Sequence, residues 1–457
     1  MLRWLYSWLM WLAQPFLRRK LMRRSRQEPG YALAVDERFG RYIQPVPAHD
    51  GPTLWIHAVS LGETRAAAVL VAALRVQLPQ MRLLLTHGTA TGRAEGLTLL
   101  GPGDLQAWQP WDAAGAVQRF LTHFKPDLGI LMETEIWPNL AHGCRQIGVP
   151  LVLVNARLSD KSMCQAQRLA WLARPAFAAL TAVWAQTPLD AQRLQVMGAN
   201  VRGVLGNLKF DAQPDAPQLA RGRVWRTQLA EPVVMFASSR EGEELALLQI
   251  LKSIGALALI DKLQVATNNV VNKVQWLIVP RHPQRFDAVA ALIESHGFVV
   301  QRRSSWGHGG PVVTSTPLPT IWLGDSLGEM ALYYGLADVA LLGGSFEALG
   351  GQNLIEAAAC GCPVVMGPHT FNFAEASEQA LAAGAAQRSA NLTQAVAVAS
   401  ALCVNHHALE ASKRAAIGFA SSHQGAALNL AAALVPLVAD LPGQKRVKAT
   451  TVDPVDG

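Results

Sequence analysis

Two glutamates one residue apart, Glu133 and Glu135, end the strongly apolar run Leu128–Met132 and precede Trp137-Pro138. Carboxylates at the buried end of a strand are costly to desolvate unless they are paired or put to use, which makes this pair a candidate for acid–base or charge-stabilising chemistry. A third carboxylate, Glu63, follows Gly62 in HAVSLGETRAA, in the first turn of a helix that opens directly after a strand. There it can abstract a proton, or it can simply be an acid that suits the helix dipole. Cations stand at equivalent places: Lys209 in GNLKFD, and Arg281 and His282 in IVPRHPQRF. Such cations suit a phosphate or a carboxylate, and an arginine can grip either with two parallel hydrogen bonds. Gly328-Glu329-Met330, in GDSLGEM, begins a further helix at a strand end.

The stretch Gly343–Asn372 reads as strand, glycine-rich loop, helix and strand. Its two pairs, Gly343-Gly344 and Gly350-Gly351, let backbone amides approach a ligand closely, and the helix that follows turns its positive end toward a phosphate. Glu356, one turn into that helix, can accept hydrogen bonds from ribose hydroxyls. The same glycines also fit an ordinary tight strand-to-helix connection. The chain contains no Asp-x-Asp, the device by which metal-dependent transferases hold a sugar diphosphate, and no Walker A sequence. The expected chemistry therefore uses no metal and no cofactor, and its leaving group carries a single phosphate.

These residues need a scaffold that ends strands next to one another. From Thr53 short β-rich runs alternate with helical stretches: Thr53–Ala58, Arg82–Thr86, Asp127–Met132, Leu151–Asn155 and Ala182–Gln186 read as strands, with helices over Arg65–Leu78, Trp137–Ile147, Ser162–Leu180 and Leu189–Met197. The pattern breaks over Asp211–Glu231 and resumes with strands near Val233–Ser238, Trp276–Pro280, Phe298–Gln301, Thr320–Gly324, Val339–Gly343 and Pro363–Gly367. At 457 residues the chain suits two α/β domains. The divisions expected are a segment 1–27, a Rossmann-like domain 28–211, a linker 212–231, a second Rossmann-like domain 232–440 and a disordered tail 441–457. Ser253–Lys273 has no clean period and reads as an insertion.

The formal charge of +7 is confined to the first 27 residues, where Arg3, Arg18, Arg19, Lys20, Arg23, Arg24 and Arg26 meet no acid. The remainder of the chain balances, so the total implies no nucleic-acid face. The same segment carries Trp4, Trp8, Trp11 and Phe16 among leucines, yet its apolar run is shorter than the ~20 residues that span a bilayer. Aromatic residues followed by a basic run predict a membrane-surface anchor on the cytoplasmic side. The five cysteines are odd in number and scattered, as reduced structural thiols are.

Taken in order, HAVSLGE, METEIWPN, VNARLS, GNLKFD, EGEE, VPRHPQRF, GDSLGEM, GGSFEALGGQNLIEAA and GPHTFNF resemble the bacterial Kdo transferases (glycosyltransferase family 30), which move 3-deoxy-D-manno-octulosonic acid from CMP-Kdo onto a lipid A precursor. The resemblance implies a GT-B fold, two Rossmann-like domains facing across a cleft, with an N-terminal membrane-anchoring helix at the cytoplasmic face of the inner membrane. It implies inverting, metal-independent transfer to lipid IVA in lipopolysaccharide core biosynthesis, with the acceptor on the N-terminal domain and CMP on the C-terminal one. It places the general base at Glu63, the transition-state stabilisers at Glu133 and Lys209, and the CMP contacts at Pro280-Arg281, Gly328-Glu329-Met330 and Asn353, Leu354, Ile355 and Glu356. Two departures touch this pattern. Gln352 and Leu354 stand where the family usually has His and Pro in GGHNPLE, and Arg240 replaces the His of STHEGEE. The alternatives are a GT-B nucleotide-sugar enzyme for another acid sugar, which needs no anchor, and a membrane-tethered nucleotide binder that has lost catalysis.

Overall fold

The computed structural model describes residues 2–260, 274–312 and 318–439. They form two compact units, one of residues 2–212 with 424–439, the other within Gln213–His423. Each is built on a seven-stranded sheet in which every pairing is parallel.

The first sheet comprises β1 (Thr53–His57), β2 (Arg82–His87), β3 (Leu105–Trp108), β4 (Leu128–Met132), β5 (Leu151–Ala156), β6 (Ala182–Ala185) and β7 (Val201–Val204) in the spatial order 3-2-1-4-5-6-7. The central strands are buried along their whole length, which is why TLWIH and LGILM read as continuous apolar runs rather than alternating ones. Helices cover both faces. One face packs Leu54, Ile56, Leu83 and Ile130 against helix Leu61–Gln77 and the last helix, Ala426–Ala439; the other packs Trp55, Leu84 and Leu131 against Phe120 and Phe124.

The second sheet comprises β8 (Val233–Ser239), β9 (Gln275–Pro280), β10 (Val299–Arg302), β11 (Thr320–Leu323), β12 (Val339–Leu342), β13 (Val364–Met366) and β14 (Ala386–Arg388) in the order 10-11-9-8-12-13-14. Phe236, Ile278, Leu323 and Leu341 anchor its core.

Several expectations change. The stretch read as a linker holds helix Ala216–Thr227, which belongs to the second unit and crosses helix Met330–Leu336 so closely that a Cβ on Gly222 would lie 2.1 Å from the Leu332 carbonyl. The last helix, read as part of the second domain, joins the first unit instead. Its apolar face packs on helix Leu61–Gln77, and the Asp211 carboxylate accepts from the Gly425 and Ala427 amides at its start. The single helix expected over Ser162–Leu180 is two, Asp160–Arg168 and Ala170–Ala178, broken at Leu169. Most of the insertion Ser253–Lys273 and the whole tail 441–457 lie outside the described residues.

At the N-terminus two helices, Leu2–Leu12 and Gln14–Ser25, belong to the first unit. The first turns Trp4, Leu5, Trp8, Leu9, Trp11 and Leu12 to solvent, with Trp4 78% and Trp11 62% exposed. Arg3 and Ser7 face the protein. Among the described residues no helix is long and apolar enough to cross a membrane.

Candidate active site

In the first sheet the chain builds outward from β1 to β3 and then returns to add β4 on the opposite side of β1. Loops leaving adjacent strands on either side of such a reversal diverge and leave a crevice at the strands' carboxyl ends. Glu63 follows β1 and Glu133 follows β4, so the topology brings together two residues 70 positions apart.

Ser60 caps the helix after β1, accepting from the Glu63 amide at 3.3 Å, while Glu63 reaches back to the Val59 amide and the Ser60 hydroxyl, each at 2.9 Å. This reciprocal arrangement fixes the carboxylate in one rotamer. Burial pushes the Glu63 carboxyl up to about 7, with Glu133 and more weakly Glu135 pushing the same way, against the two hydrogen bonds it accepts. A carboxyl at that value can take and release a proton near neutrality.

Glu133 has φ +57°, a left-handed conformation that is costly for a residue with a Cβ. The turn is pinned by the Glu133 amide donating to Val154 and by its carbonyl accepting from Arg157. Its carboxylate pairs with Lys209, Nζ to Oε1 at 2.9 Å, both side chains being largely covered. Glu135 accepts from the Trp137 indole at 2.7 Å, and burial raises its carboxyl. Lys209 is placed by three amides absent from the candidate residues. Asn155, buried and itself at φ +51°, accepts from the Leu208 amide; Asn207 accepts from the Lys209 amide and donates to Gln186, which donates to the Asn155 carbonyl. The asparagines of VNARLS and GNLKFD were the available signal, but sequence does not disclose that they share one network.

In the second unit the first glycine pair does not offer its amide to a ligand. Both oxygens of the buried Glu243 carboxylate accept from the Gly344 amide at 2.9 Å, and one also accepts from the Arg240 amide at 2.8 Å. The cradle expected for a phosphate is filled by the protein's own carboxylate. Gly343 is required for a different reason: a Cβ there would lie 2.3 Å from the Ser238 carbonyl. The second pair, at φ +89° and +74°, is held by Asn372 of GPHTFNF, whose amide donates to the Gly350 carbonyl and whose side chain donates to Leu349.

Arg281 is exposed directly after Pro280, the last residue of β9, and Glu356 lies in the helix after Asn353. The buried Tyr334 phenol senses both: burial raises it strongly, Glu356 adds to the rise and Arg281 opposes it. Both candidates thus lie within electrostatic reach of one phenol. Asn353 caps its helix by accepting from the Ile355 amide at 3.1 Å. Leu354 and Ile355 are buried, so only their backbones can meet a ligand. Glu329 is bound by Arg303 at 2.9 Å and by the Ser326 hydroxyl, next to the exposed Gly328 at φ +77° and the half-buried Met330. Ser326 has the G-x-S-x-G spacing of a nucleophile elbow, but its hydroxyl meets Glu329 and Tyr333 rather than a histidine. Arg285 grips the buried Glu244 with two hydrogen bonds, and burial together with Arg240, Arg281 and Arg285 lowers His282. The carboxyl ends of β8 and β9 thus gather Arg240, Arg281 and Arg285 with Glu241, Glu243 and Glu244.

Residues 34–212 match the family described as 3-Deoxy-D-manno-octulosonic-acid transferase (kdotransferase). The chain is 46% identical over 413 residues to the 3-deoxy-D-manno-octulosonic acid transferase of Bordetella pertussis, covering 89% of this chain and 92% of that one. The chain belongs to the Kdo transferase family. The corresponding enzyme of Haemophilus influenzae is 33% identical over 384 residues, covering 82% of this chain and 84% of its own. The fold is also that of UDP-GlcNAc 2-epimerase from Neisseria meningitidis, with a TM-score of 0.52 over 85% of this chain and 99% of that one at 14% identity. Both units accordingly have parallel α/β sheets of the GT-B type, and a Kdo transferase is a glycosyltransferase.

Around Glu63, then, a carboxyl raised to about 7 stands beside a second carboxylate that is ion-paired with a lysine. Glu243 is the residue that inspection of the glycines missed. It was visible in EGEE, yet nothing in sequence says which glycine amide a glutamate a hundred residues earlier will occupy.

Proposed function

We propose that this Kdo transferase moves Kdo from CMP-Kdo to a sugar hydroxyl of the lipid A precursor lipid IVA, with inversion and without a metal ion. The observation that carries the reading is the Glu63 carboxyl raised to about 7 beside the Glu133–Lys209 pair. The acceptor oxygen attacks the anomeric carbon of Kdo and its proton passes to Glu63. The bond from that carbon to the CMP phosphate breaks with its electron pair on the phosphate. Attack on the face opposite the leaving CMP inverts the centre. Glu133 suits the positive charge that develops on the sugar, and the cations Lys209 and Arg281 suit the negative charge of the sugar acid and the phosphate. Pro280-Arg281, Gly328-Glu329-Met330 and the backbone of Asn353–Glu356 bind the CMP.

The absence of Asp-x-Asp supports a metal-independent reaction. The N-terminal helices support work at the inner membrane's cytoplasmic face, because an exposed Trp-rich face followed in the chain by the exposed Arg19, Lys20 and Arg23 suits anionic headgroups. Incubation with CMP-Kdo and a tetra-acylated lipid A precursor, with and without chelator, followed by mass spectrometry, tests the reading. Acceptor carrying added Kdo in both samples is expected. Hydrolysis of CMP-Kdo without transfer, or loss of transfer with chelator, overturns it.

A further inference from the structure

The first helix is inverted: its tryptophans and leucines face solvent, and the residues it turns inward are the polar Arg3, Tyr6 and Ser7 with the half-buried Met10. A helix that served only to adhere to lipid has no use for specific polar contacts with the protein body. Here they converge on one residue. Arg3 donates to Asn139 Oδ1 at 3.1 Å, and the Ser7 hydroxyl lies 2.9 Å from the same oxygen. Asn139 is 2% exposed and in turn donates through its side chain to the Asp112 carbonyl. The Asp112 carboxylate, 1% exposed, accepts from the Asn139 and Leu140 amides at 2.9 Å each and from the Tyr6 hydroxyl.

Those two amides begin helix Pro138–Ile147, and the turn feeding it is residues 133–137. That turn carries Glu133, in its left-handed conformation, and Glu135, held by the Trp137 indole. The contacts from the N-terminal helix therefore end two residues from Trp137, whose indole holds Glu135.

We propose that the N-terminal helix is a positioning element for the catalytic turn: through Arg3, Tyr6 and Ser7 it holds Asn139 and Asp112, so that seating the helix on an anionic lipid surface tightens residues 133–140. Arg3, Tyr6, Ser7, Asp112 and Asn139 are positioning residues that touch no substrate. The inference deepens the proposed function, since it takes the acceptor to be presented at that lipid surface. Enzyme in the membrane would thereby hold Glu133 and Glu135 in register with Glu63, and enzyme adrift from it would not.

The test uses the full chain and the double variant Arg3→Ala/Ser7→Ala, which keeps every exposed tryptophan and the whole basic cluster of the second helix. Vesicles of phosphatidylethanolamine with phosphatidylglycerol serve as the surface. Co-sedimentation should be unchanged by the double substitution. In the wild type, vesicle binding should slow amide hydrogen exchange over residues 133–140, and in the variant those amides should exchange about tenfold faster on vesicles, as local opening free of its tether does. Ser7→Thr, which retains the hydroxyl, should keep the protection. With acceptor in the vesicles the double variant should lose kcat while KM for CMP-Kdo holds. Equal protection in variant and wild type overturns the proposal, as does loss of vesicle binding and protection together, which would mark a simple anchor. Exchange is read without turnover, so protection in a protein that never transfers Kdo would sink the proposed reaction and leave the tether standing.

Discussion

Lys209 Nζ lies 2.9 Å from Glu133 Oε1, and that ion pair sits beside Glu63, whose carboxyl Glu133 helps to raise. Two carboxylates that face each other unaided tend to share a proton. On the proposed mechanism the lysine divides their roles, Glu133 facing the sugar's developing charge and Glu63 taking the acceptor's proton.

The first prediction follows from that division. Glu63 is held up first by burial and then by Glu133, so Glu133→Gln should bring its carboxyl down from about 7. Activity that needs the ionised base rises through that value, so the acid limb of kcat against pH should move to lower pH in the variant while the maximum falls. A limb that stays in place would show that another group titrates there.

The strained backbone at Glu133 yields a second expectation. Glu133→Ala retains a Cβ at φ +57°, whereas Glu133→Gly does not. Relief of about 1–2 kcal/mol of left-handed strain, set against about 0.5–1 kcal/mol of added chain entropy, leaves glycine the more stable by about 0.5–1 kcal/mol. Denaturant midpoints of the two variants measure it, and both should be impaired in transfer. If alanine proves as stable as glycine, the turn relaxes and the conformation is not enforced.

Much of this site was legible because strand ends and the residues after them are local features. Leu128–Met132 and Thr53–His57 announce themselves as buried parallel strands, so Glu133 and Glu63 could be singled out before their strands were known to be neighbours. The strands β3, β7 and β14 went unread because LQAW, VRGV and AQR are too short, or too polar, to show a period. The crossing of the last helix into the first unit was hidden for another reason. Its alanines and leucines fit any apolar face, and the choice is made by Asp211 at its start. Glycine spacing suggested a phosphate cradle, while the occupant, Glu243, is decided only by three-dimensional proximity.

A third expectation separates the two N-terminal helices. The first is joined to the protein by polar contacts, but the second buries Leu21 and lays Arg18 over Phe39 and Arg24 over Tyr31. Deletion of residues 1–13 should abolish vesicle binding with a small change in Tm. Deletion of residues 1–27 should cost several degrees more, because it uncovers those rings. Equal melting of the two truncations would mean that the second helix contributes nothing to the fold.

The last prediction concerns Glu63→Gln. Glutamine keeps the size of the side chain and can still cap the Val59 amide, but it cannot accept the acceptor's proton, so turnover should fall by about 10²–10⁴-fold, the usual scale of general-base loss. Stability should change with pH in a fixed direction. The folded carboxyl titrates near 7 and the unfolded one near the ordinary glutamate value of about 4.3. The wild type therefore has this group's full contribution below the unfolded value and loses it as pH rises through the folded one. Glutamine escapes that loss, so the variant's Tm relative to wild type should rise between pH 5 and pH 8. CMP affinity, which the proposal assigns to residues of the other unit, should not move. Near-normal turnover in a folded Glu63→Gln protein would reduce the residue to a helix-start acid. The base would then have to be Glu135, whose carboxyl is also raised by burial.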